Sequence, residues 1–363
     1  MDPSSAATAR VLATRRSIEI PTTMRALRRG SDGVELAEVA TPSQLGADEV
    51  LLKVLLAGLC RTDCYVAEGH LGPTGGGRIL GHEIAAEVVA CGSAVAVEVL
   101  GSQVSVDPRI RCGECAGCVE TAPCTMGMRG MRGMRGTTTC LQPRFLGVDV
   151  DGGFAEFVRV PVSSLVQVAL GVDLRAVAYV EPIAATLAIL GAGIRPEERG
   201  LVVGQGRIAV LAAEILAIHG FQSVVHVDPT KSRDLPPRAF DFAVENGVDA
   251  EGMASIIGAL RRGGRIVIKS RRLDPLVIDP LRFVPKELEL VAAYYGSFAE
   301  AASLVASENI DLQPLWSEPR ALEEFAAVFA QARRGEGQKL FFAVAKDRAM
   351  EFVACAGSSA PSL

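Results

Sequence analysis

The chain changes its hydrophobic rhythm once, near residue 170. Before that point apolar and polar positions alternate in short runs broken by Gly and Pro, the pattern of half-buried strands. Residues 34–39 alternate with period two, residues 49–57 form a longer and mostly apolar run, and 83–89, 103–106 and 154–160 continue the series. The last of these follows the turn Asp151-Gly152-Gly153. Many short strands with such punctuation predict a β-rich, partly closed barrel up to about Val168.

After that point strands and helices take turns. Residues 173–190 have helical spacing. Residues 200–204 form a short apolar strand, followed by a helix over 207–219 that Gly220 stops. Further strands are expected at 223–228, 240–244, 264–269 and 288–293, with helices between several of them, as at 250–260. Alternation of this kind predicts a parallel α/β sheet. Residues 223–228 read as a buried strand, with His226 in the core. Helices at 299–307 and 321–333 are expected to return the chain to its first half.

Length agrees with two domains: 363 residues exceed one ordinary core. A composition of 49% hydrophobic and 22% charged residues is globular. The mild net charge of −5 argues against nucleic acid or an anionic membrane as the main partner. No apolar run is expected to span a membrane. Nine cysteines, several in Cys-x-x-Cys spacing, favour metal binding in a reducing, cytoplasmic setting over a disulfide framework. Residues 1–23 lack an apolar centre and read as a flexible extension, and residues 351–363 as a flexible tail.

Candidate chemistry gathers in the first half. Cys60-Arg61-Thr62-Asp63 and Gly81-His82-Glu83 put a thiolate, an imidazole and a carboxylate within one short span, and Gly72-Pro73 and Gly75-Gly76-Gly77 let the intervening loop bring them together. Glu181 could supply a further ligand. Three protein ligands leave one position of a zinc open, as catalysis requires. Cys112, Cys115, Cys118 and Cys124 supply four thiolates, enough for a closed structural zinc site, and Cys140 is a conceivable substitute for Cys124. Cys64, Cys91 and Cys355 read as packing residues.

In the second half, the strand at 200–204 runs into Gly204-Gln205-Gly206-Arg207-Ile208-Ala209 and then a helix. The first Gly suits the tight turn, the second lets a pyrophosphate reach the backbone, and Ala209 permits close packing. Asp228 ends the next strand, where a carboxylate binds ribose hydroxyls and disfavours a 2′-phosphate, so NAD is expected over NADP. Residues 229–239 carry Pro229, Pro236 and Pro237 and leave no room for the helix–strand–helix unit expected there. Losing the third strand of the order 3-2-1-4-5-6 makes the second strand an edge.

Together these motifs, with Asp151-Gly152-Gly153-Phe154-Ala155-Glu156 and Glu181-Pro182, resemble the zinc-containing medium-chain dehydrogenase/reductase family of alcohol, polyol, threonine and glucose dehydrogenases. The resemblance implies a GroES-like β-barrel catalytic domain, residues 24–170 plus 310–350, and a Rossmann dinucleotide-binding domain, residues 171–309, here shortened. It implies that Cys60 and His82 hold the catalytic zinc, with Glu83 near or exchanging and Glu181 as the third ligand. Thr62 would pass the substrate proton outward, Asp63 would orient His82, and Arg61 would meet the cofactor pyrophosphate beside Gly204, Gly206, Arg207 and Ile208. A homodimer or homotetramer and a small-molecule alcohol or ketone substrate are implied, with a sugar, polyol or cyclitol as the class. The Met-Arg-Gly repeat at 126–136 reads as a surface loop, or as Arg129, Arg132 and Arg135 offered to an anionic substrate. The shortened cofactor half keeps a second reading open, a zinc enzyme of the same fold with lyase or isomerase chemistry and a degenerate cofactor site. A non-catalytic binding member is a third.

Overall fold

Two sheets carry the molecule, and one buried helix separates them. The structure, a computed structural model, describes residues 19–73, 75–119, 140–229, 234–335 and 337–345. The extension up to residue 18, the Met-Arg-Gly repeat and the tail from 346 lie outside the described residues.

The first sheet is antiparallel over most of its width and has seven strands. Its centre is Glu49–Gly58, which pairs with Glu83–Cys91 along one side. Its other side is shared by Phe157–Pro161 and Phe341–Ala343, so the chain's last described strand rejoins the first half, as expected. Leu52, Val54, Ile84, Phe154 and Phe342 fill the space beneath. A hairpin of Thr23–Gly30 and Gly33–Ala40 packs beside this barrel.

The second sheet has five parallel strands in the order Val224–Val227, Gly200–Val203, Phe240–Glu245, Leu260–Ile268 and Glu289–Ala292. This is a Rossmann sheet without its third strand. The short stretch after Asp228 leads straight to Phe240–Glu245, which pairs with Gly200–Val203. One expectation is corrected. Val224–Val227 is not a buried strand: Val225 is 40% exposed and His226 is exposed, because the missing strand and its helices would have covered this flank. The His226 Nε2 instead lies 2.8 Å from the Gly204 carbonyl.

Helix Leu174–Leu187, continued by a 3₁₀ turn to Ala192, lies between the sheets. It touches Glu49–Gly58 and Glu83–Cys91 on one side and helices Arg207–Ile218 and Phe298–Ala306 on the other. A helix apolar all round belongs in a core. Contrary to expectation, this 19-residue segment, at mean hydropathy 1.4, is long and apolar enough to cross a membrane, but 78% of it is buried inside the protein. Asp173 caps its start by accepting from the Arg175 N–H at 2.7 Å. Pro182 removes one N–H from its middle, and Thr186 Oγ donates to the Pro182 carbonyl at 2.8 Å. Glu181 is thereby fixed where the two halves meet.

Candidate active site between the two sheets

Cys60 is the N-cap of a short helix, Arg61–Ala67, that the hydrophobic pattern did not reveal. The helix starts there because the Asp63 carboxylate folds back and accepts the Cys60 N–H at 2.8 Å. The same carboxylate accepts the Gly81 N–H at 3.1 Å and lies 3.3 Å from His82 Nδ1. One buried acid therefore joins both halves of the motif across the intervening loop. Gly81 has φ +96°, and a Cβ there would sit 2.4 Å from the Phe154 ring, so only glycine allows the turn into His82.

His82 is fully buried, and its Nε2 has no hydrogen-bond partner. Burial works against its protonation, but Asp63 and Cys60 outweigh it and raise its pKa well above the usual imidazole value. A buried ring nitrogen without a partner needs an explanation, and a cation supplies one. One ligand atom each from Cys60, His82 and Glu83 lies within 4.8 Å of the others. Thiolate, imidazole and carboxylate are zinc ligands, so the donor set fits that ion.

Glu83 has a partner that no motif announced. The Lys339 ammonium pairs with its Oε2, and both side chains are almost fully buried. Gly58 makes the room: a Cβ there would lie 2.6 Å from Glu83 Oε2 and 2.8 Å from Lys339 Cε. Glu181 lies outside the 4.8 Å group of Cys60, His82 and Glu83, although it lines the same cavity. Its Oε1 accepts from the Tyr295 hydroxyl, and Tyr295 is itself buried beside Phe145 and Phe298. Neither Lys339 nor Tyr295 was found by sequence. Lys339 stands alone in an ordinary strand approach, but Tyr294-Tyr295 follow a parallel strand's carboxyl end, where ligand sites form.

A cavity of about 430 Å³ is lined by Cys60, Thr62, Glu83, Glu181, Lys269 and Arg271, among others. A second, of about 560 Å³, is lined by Gln205, Gly206, Arg207, Arg334 and Gln338. Cys60, Arg61, Ile208 and Asn246 line both, so the two are one cleft with a shared waist. The glycine turn is built as expected. Gly204 has φ +156°, and a Cβ on it would meet the Asn246 carbonyl at 2.6 Å. A Cβ on Gly206 would meet nothing within 4 Å, which leaves the N-terminus of helix Arg207–Ile218 open to an anion. These residues fit a dinucleotide pyrophosphate. Arg207 itself donates to the Gln338 carbonyl at 2.6 Å and ties the two halves together. Asp228 follows the edge strand and is half-buried.

In the cysteine lobe the described residues bring Cys140, the substitute named above, to the other three cysteines. Cys112, Cys115, Cys118 and Cys140 form the cluster, while Cys124 lies outside the described residues. The Sγ separations are 3.8 Å for Cys112–Cys118, 3.5 Å for Cys112–Cys140 and 4.0 Å for Cys115–Cys140. Four Zn–S bonds of ~2.3 Å in a tetrahedron give S···S edges of about 3.8 Å, so the four sulfurs fit a closed zinc site. Cys140 returns beside Cys112, whose N–H donates to its Sγ at 3.4 Å. The Leu141 N–H, 3.3 Å from Cys115 Sγ, pulls that thiol down to about 6.

Comparison with known proteins agrees with this geometry. Residues 46–169 match the alcohol dehydrogenase GroES-like domain. The chain is 31% identical over 295 residues to L-galactonate-5-dehydrogenase of Escherichia coli K12, covering 73% of this chain and 82% of that enzyme. The chain belongs to the zinc-containing medium-chain dehydrogenase/reductase family. It is also 27% identical over 340 residues to L-threonine 3-dehydrogenase of Streptomyces coelicolor, covering 85% and 95%. A protein of Sinorhizobium meliloti assigned as a zinc-binding dehydrogenase, solved with NADP, superposes with TM-score 0.77 at 25% identity, covering 89% of this chain and all of that one. Galactitol-1-phosphate dehydrogenase of E. coli shares the fold, with TM-score 0.74 at 21% identity over 88% of this chain and all of that one. As a medium-chain dehydrogenase, this protein is an NAD(P)-dependent alcohol oxidoreductase acting on a small molecule.

Proposed function

We propose that this dehydrogenase is zinc-dependent and interconverts a secondary alcohol of sugar, polyol or cyclitol type and its ketone, using NAD in preference to NADP. The observation that carries this reading is the Cys60–His82–Glu83 cluster at the waist of a cleft that continues into the glycine-turn groove. Cys60 and His82 would hold the ion, with Glu83 or Glu181 beside them. Bound there, zinc lowers the pKa of an alcohol oxygen or polarises a carbonyl.

The chain's own residues do the rest. Asp63, 3.3 Å from His82 Nδ1, would orient that ring and favour one tautomer. Thr62 lines the cavity, which supports a role for its hydroxyl in taking the substrate's proton outward. Arg61 reaches the waist from the barrel side, where a pyrophosphate seated over Gly206 would lie. Asp228 supports NAD, since its carboxylate would repel a 2′-phosphate. A homodimer or homotetramer fits Leu281, Val284 and Leu290, which are exposed at or near the sheet's last strand, Glu289–Ala292. The four-cysteine lobe would hold the structural zinc.

The test has two parts. Metal analysis of the purified protein should find two zinc ions per chain, one of them lost in Cys60→Ser. Titration with NADH should show energy transfer and a rise in Tm, with weaker binding of NADPH. The uncovered edge strand favours the second reading, lyase or isomerase chemistry with a degenerate cofactor site. Zinc-loaded protein that ignores NADH would establish that reading instead.

A further inference from the structure

The 430 Å³ cavity is lined by two cations, the half-buried Lys269 and the exposed Arg271, that form no ion pair among the described residues. Lys269 and Arg271 follow the carboxyl end of strand Leu260–Ile268. The Lys269 ammonium donates to two main-chain carbonyls, Ala293 at 3.2 Å and Tyr294 at 3.0 Å. The Arg271 guanidinium lies over the Tyr294 ring, 5.5 Å from its centroid, and its backbone carbonyl is held by the Tyr65 hydroxyl at 3.3 Å. Neither has a carboxylate partner among the described residues. Their neighbour Arg272 lines the same cavity and is engaged, by the Val248 carbonyl and by Asp274 at 3.3 Å.

Of the acids near the cavity, only Glu83 has a cationic partner of its own, while Glu181 and Cys60 attract Lys269 and Arg271 from a distance without an ion-pair contact. Glu83 pairs with Lys339, and the Glu181 Oε1 accepts from Tyr295. A zinc ion at Cys60 would draw on that thiolate and on one carboxylate, so the two cations would remain in excess. Half-burying an ammonium on carbonyls alone is costly. Burial, with Arg271 beside it, drives the Lys269 pKa down to about 7. An incoming anion would reverse that cost.

The position of the pair argues for the substrate and against the cofactor phosphates. Gln205, Gly206 and Arg207 line the neighbouring cavity, whereas Lys269 and Arg271 share theirs with Thr62, Glu83 and Glu181. Building on the dehydrogenase reading above, we propose that Lys269 and Arg271 form an anion-binding subsite, so that the alcohol oxidised carries a carboxylate or phosphate, as an aldonate or a sugar-alcohol phosphate does, and is not a neutral polyol.

The test uses full-length, zinc-loaded enzyme with NAD and three probes: a six-carbon aldonate, the corresponding hexitol and that hexitol's phosphate. At least one anionic probe should exceed the hexitol in kcat/KM, and which one does so tells carboxylate from phosphate. Arg271→Gln and Lys269→Met should each cut that anionic-to-neutral ratio by roughly 10–100-fold through KM, the scale of a charge-assisted hydrogen bond. Arg271→Lys should restore part of it. A ratio unchanged in both variants, or a loss in KM for NAD alone, would overturn the proposal. Circular dichroism of each variant guards against misfolding. Calorimetry of the same probes needs no turnover: if wild-type protein oxidises none of them, the sugar or polyol substrate class proposed above fails by itself. Loss of aldonate and phosphate binding in Arg271→Gln would still uphold the subsite, and undiminished binding would refute it.

Discussion

The Tyr295 hydroxyl donates to Glu181 Oε1 from a fully enclosed position, where Phe298 stacks on its ring at 5.6 Å. The bond consumes one carboxylate oxygen and fixes where the other points. Outer partners of this kind typically change metal affinity 10–100-fold. Tyr295→Phe keeps the packing and removes only the donor. The expected outcome is roughly tenfold faster loss of the Cys60-site zinc to a chelator, read with a metallochromic dye, with little change in the four-cysteine zinc. Equal release rates in the two proteins would mean that Glu181 does not contribute to holding the metal.

Lys339 and Glu83 form a second dependent pair. Removing one member of a buried ion pair strands the other charge, at a cost of about 3–5 kcal/mol. Lys339→Met should therefore lower the urea midpoint substantially. Gly58→Ala should move it in the same direction, because the new methyl would intrude on both Glu83 and Lys339. A double variant, Glu83→Gln with Lys339→Met, should recover part of the loss. An unaltered midpoint in Lys339→Met would show that the pair is absent in solution.

The fourth ligand of the cysteine lobe is directly testable. Cys140→Ser should release one zinc per chain, counted by atomic emission, and loosen the lobe to proteolysis. Cys124→Ser should keep both ions. The reverse result would restore the spacing-based choice of Cys124.

Lys269 gives a pH dependence with a definite sign. Its folded pKa, about 7, lies below the ordinary lysine value, so the unfolded chain binds the proton more tightly between about 7 and 10.5. The group therefore destabilises the fold fully below pH 7, and the penalty fades as pH rises toward 10.5. Glu181 and Cys60 oppose the shift and Arg271 adds to it. Lys269→Met should raise Tm most near pH 6, by the equivalent of a few kcal/mol, and the gain should vanish by about pH 10.5. A gain independent of pH would point to packing alone. Such a lysine, kept against stability, is what a binding role would require.

Much of this architecture was legible because it rests on short-range rules. Period-two runs located most of the barrel strands, and Gly204, Gly206 and Ala209 located the cofactor turn within a strand–turn–helix context. The dearth of residues between Asp228 and Phe240 foretold a five-stranded sheet. What escaped depends on tertiary placement. Helix Arg61–Ala67 is too short for periodicity and owes its start to Asp63. Lys339 reaches the cleft from a distant segment that nothing nearby announces, whereas Tyr295, Lys269 and Arg271 follow the carboxyl ends of parallel strands, a general cue that names no particular side chain. His226 was misjudged because an apolar strand looks alike in the middle of a sheet and on its rim. Spacing alone leaves Cys140 beside Cys124 as a candidate, because a loop's return point cannot be counted along the chain.

Truncation of the parallel sheet leaves the protein with an unfinished selvedge. Along Val224–Val227 among the described residues, the outward main-chain donors and acceptors meet no further strand, and such a margin invites a stranger's backbone. Economy of chain on the adenine side has been exchanged for a standing need to keep neighbours away.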